Sequence, residues 1–312
     1  RHSTSRYKIM EVGRWPSGNF FGDMKKMKKI LFPTEFSDHA PEVFRYAVEL
    51  AYFFNARLLV MHAFGKPEIR LASEEEKVKK TDVVVDKLID FVHQHIPEEY
   101  SSNLKIDYFA YNNYPAEAIL KLALDESADL IVIGTTGKKN PMETLLGSTS
   151  LEVIAKADCP VLAVPSGAKF EGIDNLVYTT NFEFRDFIAI NYLKKWAKTF
   201  DAPIHCLHVV EDEQKMERLL KNMAILRETF RKHKRIRFAV VQGNFQSEIN
   251  RFAKGKRADI IAMMAHKRSM ISRLVESSAV DGAVRKIHIP LLIIKDNAFE
   301  LDSDLAGWIQ MA

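Results

Sequence analysis

Three glycines spaced around hydroxyl residues carry the strongest chemical signal in this chain. The apolar run Ile131-Val132-Ile133 leads into Gly134-Thr135-Thr136-Gly137. Nine residues later Gly147-Ser148-Thr149 opens a segment with Leu151, Ile154 and Ala155 at helical spacing. Glycine lets backbone approach a charged group with no Cβ in the way, and it can adopt positive φ. Free N–H groups and the dipole at the start of a helix favour negative charge. Such a ligand would lie at the carboxyl ends of parallel strands, where open α/β sheets bind ligands. The pattern predicts a phosphate cradle.

Other reactive groups are sparse. In the nine-residue loop, Lys138 and Lys139 are as consistent with solvated side chains as with phosphate contacts, and Glu143, the only carboxylate, reads as exposed rather than as a hydrolytic base. His62 and His208 end apolar runs at corresponding places in two halves of the chain, which favours a structural role. Met263 and Met264 read as core. No catalytic residue and no metal ligand is assigned.

The elements that must position the cradle occur twice. Ala128-Asp129-Leu130-Ile131 recurs as Ala258-Asp259-Ile260-Ile261, and Pro160-Val161-Leu162 as Pro290-Leu291-Leu292, at an offset of 130. Nearer the front, Phe36 pairs with Phe182 and Leu59-Val60-Met61-His62 with His205-Cys206-Leu207-His208, at an offset of 146. The second copy is therefore 16 residues shorter (146 − 130) between its second and fourth strands. A repeat this long is a duplicated domain, and 312 residues with 47% apolar content suffice for two cores. Within each copy, short β-branched runs alternate with longer amphipathic ones, which predicts βαβ units and a parallel sheet. Strands are expected near 29–33, 56–63, 104–111, 128–134 and 160–165, then near 174–179, 203–210, 236–241, 259–263 and 290–295. A helix over 39–54 sets Val43, Ala47, Leu50, Ala51 and Phe54 on one face, with Ser37 or Asp38 as cap and Pro41 in its first turn.

At these residues the chain resembles a known family. The spacing of Gly134, Gly137, Gly147 and Ser148 matches the nucleotide motif of ATP-binding universal stress proteins, and Ile30-Leu31-Phe32-Pro33-Thr34-Glu35-Phe36-Ser37 looks like their first strand and turn. The resemblance covers 28–165 and 174–295. It implies two tandem flavodoxin-like, adenine nucleotide alpha hydrolase-like α/β domains, each a five-stranded parallel sheet of order 3-2-1-4-5 flanked by helices. It also implies roles. Ala63 would meet adenine through its backbone, and Pro33, Thr34 and Glu35 would line the nucleoside, the carboxylate facing ribose. Ile133, Gly134, Gly137, Gly147, Ser148 and Thr149 would hold ribose and phosphates. The implied ligand is ATP, or ADP or AMP, with Mg²⁺ as a possible companion. Glu35 departs from the family's usual Asp and adds a methylene to the ribose contact.

The second copy lacks this site. At the offset of 130, Gly134, Gly137 and Gly147 become Met264, Lys267 and Ser277, and at 146 Pro33-Thr34-Glu35 becomes Thr179-Thr180-Asn181. A side chain at each approach point excludes a phosphate chain in that pose. The expected units are a leader or expression remnant over 1–27, a nucleotide-binding domain over 28–166, a degenerate domain over 173–296 and a tail over 297–312. Gly167 to Gly172 reads as the linker. Since single-domain members of the family pair through their last strands, those at 160–165 and 290–295 are expected to pair within the chain, and a homodimer is expected beyond that. The leading function is a nucleotide-responsive stress protein; the alternatives are a slow ATP-hydrolysing enzyme and a nucleotide-independent scaffold.

Charge and composition narrow the partners. No apolar run approaches the roughly 18 residues of a membrane span, and Cys159 and Cys206 sit in apolar, strand-like runs that suit reduced thiols, so a cytoplasmic protein without a membrane partner is expected. Residues 29–165 hold 14 Lys and Arg against 21 Asp and Glu, net −7, whereas 171–295 hold 23 against 14, net +9. Arg231 to Arg237 and Lys254 to Arg257 are basic runs, but no aromatic stacking series accompanies them. Complementarity between domains or subunits is the expected reading, and nucleic acid is not an expected partner.

Overall fold

The structure is a computed structural model; it describes residues 26–65, 73–135, 147–211, 216–265 and 289–295. In the first half, the strands are β1 (Lys29–Pro33), β2 (Arg57–Ala63), β3 (Ile106–Tyr111), β4 (Leu130–Gly134) and β5 (Val161–Val164). The helices between them are α1 (Ala40–Phe54), α2 (Glu74–His95), α3 (Glu98–Ser101), α4 (Pro115–Asp125) and α5 (Ser148–Lys156). The second half repeats the plan with β6 (Leu176–Thr179), α6 (Phe184–Phe200), β7 (Ile204–Val210), α7 (Met216–Thr229), β8 (Ile236–Gln242), α8 (Phe245–Lys256), β9 (Ile260–Ala265) and β10 (Leu291–Lys295).

All ten strands form one sheet of order β3-β2-β1-β4-β5-β10-β9-β6-β7-β8. Each half is a parallel 3-2-1-4-5 sheet, as the resemblance implied. The halves join where β5 and β10 run antiparallel, Leu291 opposite Ala163 and Ile293 opposite Val161. Strand side chains alternate between two cores. Ile30, Phe32, Leu58, Val60, Leu130 and Val132 face the helices α1, α2, α6 and α7. Leu31, Leu59, Met61, Ile131 and Ile133 face α4, α5 and α8. Continuous apolar strands are what a sheet covered on both faces requires.

The first of these cores crosses between the halves. Phe54 meets Trp196 edge-on at 5.2 Å and Phe200 at 5.7 Å, while Phe53 lies 5.1 Å from Phe200. The connection reads as a linker in sequence, yet it is packed: Phe170 meets the Tyr46 ring at 5.2 Å, and Tyr46 Oη donates to the Lys169 carbonyl at 2.8 Å.

Local chemistry repeats as closely as topology. The Asp129 carboxylate accepts from the N–H groups of Lys28 and Lys29 at 2.8 and 3.0 Å, and Asp259 accepts from Asp174 and Asn175 at 2.7 and 2.8 Å. Each Asp therefore tethers the start of the central strand to its neighbour. Registers place Leu58 beside Ile106 and Ile204 beside Ile236, so the 16-residue shortening falls between the second and third strands of the second half, where α7 is shorter than α2 and no counterpart of α3 is found among the described residues.

Two local expectations need correcting. The cap residue of α1 is His39, not Ser37 or Asp38, and no side chain caps that helix. Ser37 contributes its carbonyl instead, accepting from Ala40 N–H at 2.9 Å. Cys159 lies in the turn before β5 and is half-buried, whereas Cys206 is buried on β7; both are free thiols.

Candidate functional site

A cleft of about 500 Å³ opens at the carboxyl ends of β1, β2, β4 and β5. It gathers Pro33, Thr34 and Glu35 from the turn after β1, Ala63 from the end of β2, Ile133 and Gly134 from β4, and Gly147, Ser148 and Thr149 from the start of α5. Gly137 lies outside the described residues, as do Lys138, Lys139 and Glu143. Every other site residue expected from the sequence lines this one cavity.

The walls are set by backbone geometry. Phe36 adopts φ +55°, which turns the chain sharply after β1, and its N–H is held by Thr34 Oγ1 at 3.1 Å. Thr34 is itself buried, its N–H donating to the Met61 carbonyl at 2.9 Å. His62, which also lines the cleft, donates from Nδ1 to the Thr34 carbonyl at 2.7 Å and so braces the turn against β2. Beyond β2, a Cβ at Gly65 would meet the Asn113 carbonyl oxygen at 2.4 Å, so only glycine fits there.

Neither of the described motif glycines, Gly134 and Gly147, adopts a positive φ. A Cβ on Gly134 would sit 3.3 Å from Val43 Cγ2 on α1, closing the cleft floor. Gly147, the residue before α5, has φ −59°, and its N–H donates to the Thr135 carbonyl at 2.7 Å. Among the described residues no side chain caps α5, a nine-residue helix that opens on the cleft, so its first-turn amides can meet an acceptor. Ser150 points elsewhere, its hydroxyl donating to the Gly134 carbonyl at 2.8 Å.

Three lining residues were not singled out from sequence. Thr135 is 9% exposed, and its Oγ1 is buried with no hydrogen-bond partner among the described residues. A buried hydroxyl in that state is costly. His39 and Ser166 form the opposite wall, the hydroxyl 3.0 Å from Nδ1, with Glu42 accepting from Gly167 N–H at 2.9 Å. Thr135 stood inside the quoted motif; the His39–Ser166 contact spans 127 residues and has no local signature.

The second half keeps the scaffold and changes the side chains around it. Phe182 repeats φ +55°, Thr180 N–H donates to the Leu207 carbonyl at 2.9 Å, and His208 Nδ1 donates to the Thr180 carbonyl at 2.5 Å. Burial lowers the His208 pKa, partly offset by that carbonyl and by Glu183. Met264 replaces Gly134, and Ala189 replaces Val43 opposite it; both are buried in one core. Tyr178 and Asp186 replace the cleft residues Phe32 and Ala40, and the Tyr178 hydroxyl meets the Asp186 carboxylate at 2.5 Å. Asp186 also accepts from the N–H groups of Asn181 and Glu183 at 3.2 and 2.7 Å. Among the described residues, larger and hydrogen-bonded side chains stand at these positions where the first half's cleft is lined by Phe32, Ala40 and Gly134.

A sequence profile of the universal stress protein family matches residues 26–165 and again 176–295. The chain belongs to the universal stress protein family. Among curated relatives, a universal stress protein of Thermus aquaticus is 37% identical over 146 residues, covering 44% of this chain and 98% of the relative. One from Methanocaldococcus jannaschii is 32% identical over 145 residues, covering 46% of this chain and 84% of the relative. Each such relative thus corresponds to roughly one half of this tandem universal stress protein. Of solved structures, a universal stress protein from Archaeoglobus fulgidus superposes with a TM-score of 0.62 at 18% identity, over 86% of this chain and 97% of that one. A Pseudomonas aeruginosa protein described as functionally unknown gives 0.59 at 13%, over 92% and 98%. At these identities the structural likeness concerns the fold alone.

Proposed function

We propose that the chain binds one adenine nucleotide, ATP in the first instance, in the cleft of its first half and acts as a nucleotide-responsive stress protein. The observation that carries this reading is the convergence on one cavity of a buried, unpartnered Thr135 hydroxyl and the uncapped N-terminus of α5. The first calls for a hydrogen-bond partner and the second for an anion. In the proposed pose, Ala63 meets the base, Glu35 the ribose hydroxyls, and Gly134, Gly147, Ser148 and Thr149 the phosphates. Gly137 completes the set, and Mg²⁺ enters with a triphosphate. The binding unit is taken as residues 28–166, the partner unit as 173–296, and the cytoplasm as the setting.

On this reading the second half supports and does not bind. Met264, Tyr178 and Asp186 stand where Gly134, Phe32 and Ala40 line the cleft of the first half. Nucleotide occupancy then acts by favouring one conformation or partner of the first half over another. Titration calorimetry should give one ATP per chain, and Gly147→Val should abolish binding by setting a branched side chain where phosphate meets the backbone. Two equal sites per chain, or unaltered binding by Gly147→Val, would overturn the proposal.

A further inference from the structure

Duplication supplies an internal control for surface charge. At the amino-terminal end of the first half's sheet, two ion pairs neutralise the surface: Lys29 with Glu126 at 2.7 Å and Arg57 with Asp107 at 2.9 Å. In the second half the acids are replaced by bases and the bases by neutral residues. Glu126 becomes Lys256, Asp107 becomes Arg237, Lys29 becomes Asn175 and Arg57 becomes Pro203. Leu124 and Ser127 become Lys254 and Arg257. A balanced surface in one copy is a cationic one in the other.

These four bases are exposed, and none forms an ion pair with a carboxylate among the described residues. Arg237 and Lys256 flank one buried histidine, His205, which lies beside Arg237 in the β7–β8 register. Lys256 sits over the Phe252 ring at 5.5 Å, and that ring lies 6.4 Å from His205. The nearby carboxylates are committed elsewhere. Asp201 pairs with Arg235, and Asp259 holds backbone N–H groups at β6, two strands further in.

Simpler explanations of the patch do not account for it. The end of a helix favours cations, but α4 ends in the same geometry with Asp125 and Glu126. Attraction to the acidic first half accounts for it poorly, because Arg237 is on β8, the strand farthest from the seam, and α8, whose end carries the other three bases, packs on β6 and β7 rather than at the seam. The patch also lacks what a protein partner uses: none of the exposed large apolar side chains lies between 230 and 257. Protein interfaces centre on such anchors and are poor in lysine, whereas a phosphate backbone needs only clustered Lys and Arg.

We infer that the amino-terminal end of the second half's sheet, at Arg237 on β8 and at Lys254, Lys256 and Arg257 at the end of α8, binds the phosphate backbone of nucleic acid without sequence preference. This reverses the expectation from sequence, which had no way to separate these bases from ones facing the first half. The inference does not depend on the nucleotide cleft. Fluorescence anisotropy of a labelled DNA duplex titrated with the full chain tests it, across roughly 50 to 200 mM salt. Binding should weaken with salt along a log–log slope of about −0.9 for each phosphate neutralised. Arg237→Asp with Lys256→Glu, which installs the first half's residues, should flatten that slope by about 2 and weaken binding at least tenfold. Lys121→Glu with Lys156→Glu changes net charge equally on the first half and should leave binding unchanged; circular dichroism melts check that both variants fold. Lys254→Glu with Arg257→Ser gives an independent second lesion with the same expected direction. No binding at the low salt, an unchanged slope in both patch variants, or tighter binding to polyglutamate or to phosphatidylserine vesicles than to DNA would overturn the inference.

Discussion

Thr135→Val separates the cost of a buried, unpaired hydroxyl from the gain on pairing it. The Thr135 hydroxyl is buried without a partner among the described residues, and such a group costs about 1–3 kcal/mol. Valine keeps the branched shape and removes the hydroxyl. Nucleotide-free protein should therefore gain about 1 kcal/mol or more, which raises the unfolding midpoint by roughly 2–4 °C per kcal/mol in domains of this size. The same change removes a hydrogen bond to the proposed ligand. A bond to a charged group contributes about 1.5–3 kcal/mol, so ATP affinity should fall by about 10- to 100-fold. Melting curves with and without ATP read both effects: the free protein melts later, and the shift caused by ATP shrinks. A variant that is less stable when free and binds ATP normally would mean that the hydroxyl is bonded within the protein, and the argument for a ligand at this atom would be lost.

Three further outcomes are expected. Burial first, then the charges of Lys256 and Arg237, lower the His205 pKa to about 4; the unfolded value is about 6.5. The unfolded chain therefore takes up the extra proton, and the contribution to stability is complete above about pH 6.5 and declines as pH falls towards 4, by at most about 1.4 kcal/mol per pH unit. His205→Leu, the residue type at Leu59, should reduce that slope in urea midpoints, though His208 still contributes; an unchanged slope would refute the assignment. Cutting the chain within 167–172 should leave two halves that co-elute, held by β5–β10 pairing and the Phe53, Phe54, Trp196 and Phe200 contacts. A first half that elutes alone as a soluble monomer and ignores the second half would contradict this. Finally, ATP turnover should fall far below the roughly 1–100 s⁻¹ of kinases, because Glu35, His39 and His62 are the only titratable side chains among the described residues that line the cleft, and His62 is held by the Thr34 carbonyl; single-turnover assays with Gly147→Val as control would expose a faster reaction.

The strand positions were legible because a sheet buried on both faces writes itself as unbroken apolar runs. Their ends were less so: Ala128 and Asp129 continue the run in sequence, but the Asp129 carboxylate turns back to Lys28 and Lys29, and β4 begins at Leu130. The cleft was legible through its glycines and through Pro33 to Glu35, all local in sequence. Its counterpart in the second half was legible only as lost glycines. That Met264 and Ala189 share one core, or that Tyr178 and Asp186 meet where Phe32 and Ala40 line a cavity, depends on contacts between a strand and the helix beside it. Likewise, polarity marked the segment after β5 as a linker, while Phe170 and Tyr46 show that it is packed.

The seam between β5 and β10 also fixes the form of the response. Two identical sites facing each other across a twofold axis can influence one another and sharpen a dose curve. Here the two partners are one polypeptide, and on the proposed reading only the first half binds. On the proposed reading, occupancy of a single chain must follow a simple hyperbola in nucleotide concentration. The molecule reports the level of its ligand as a graded gauge, and any threshold in the cell must arise from what the chain meets next.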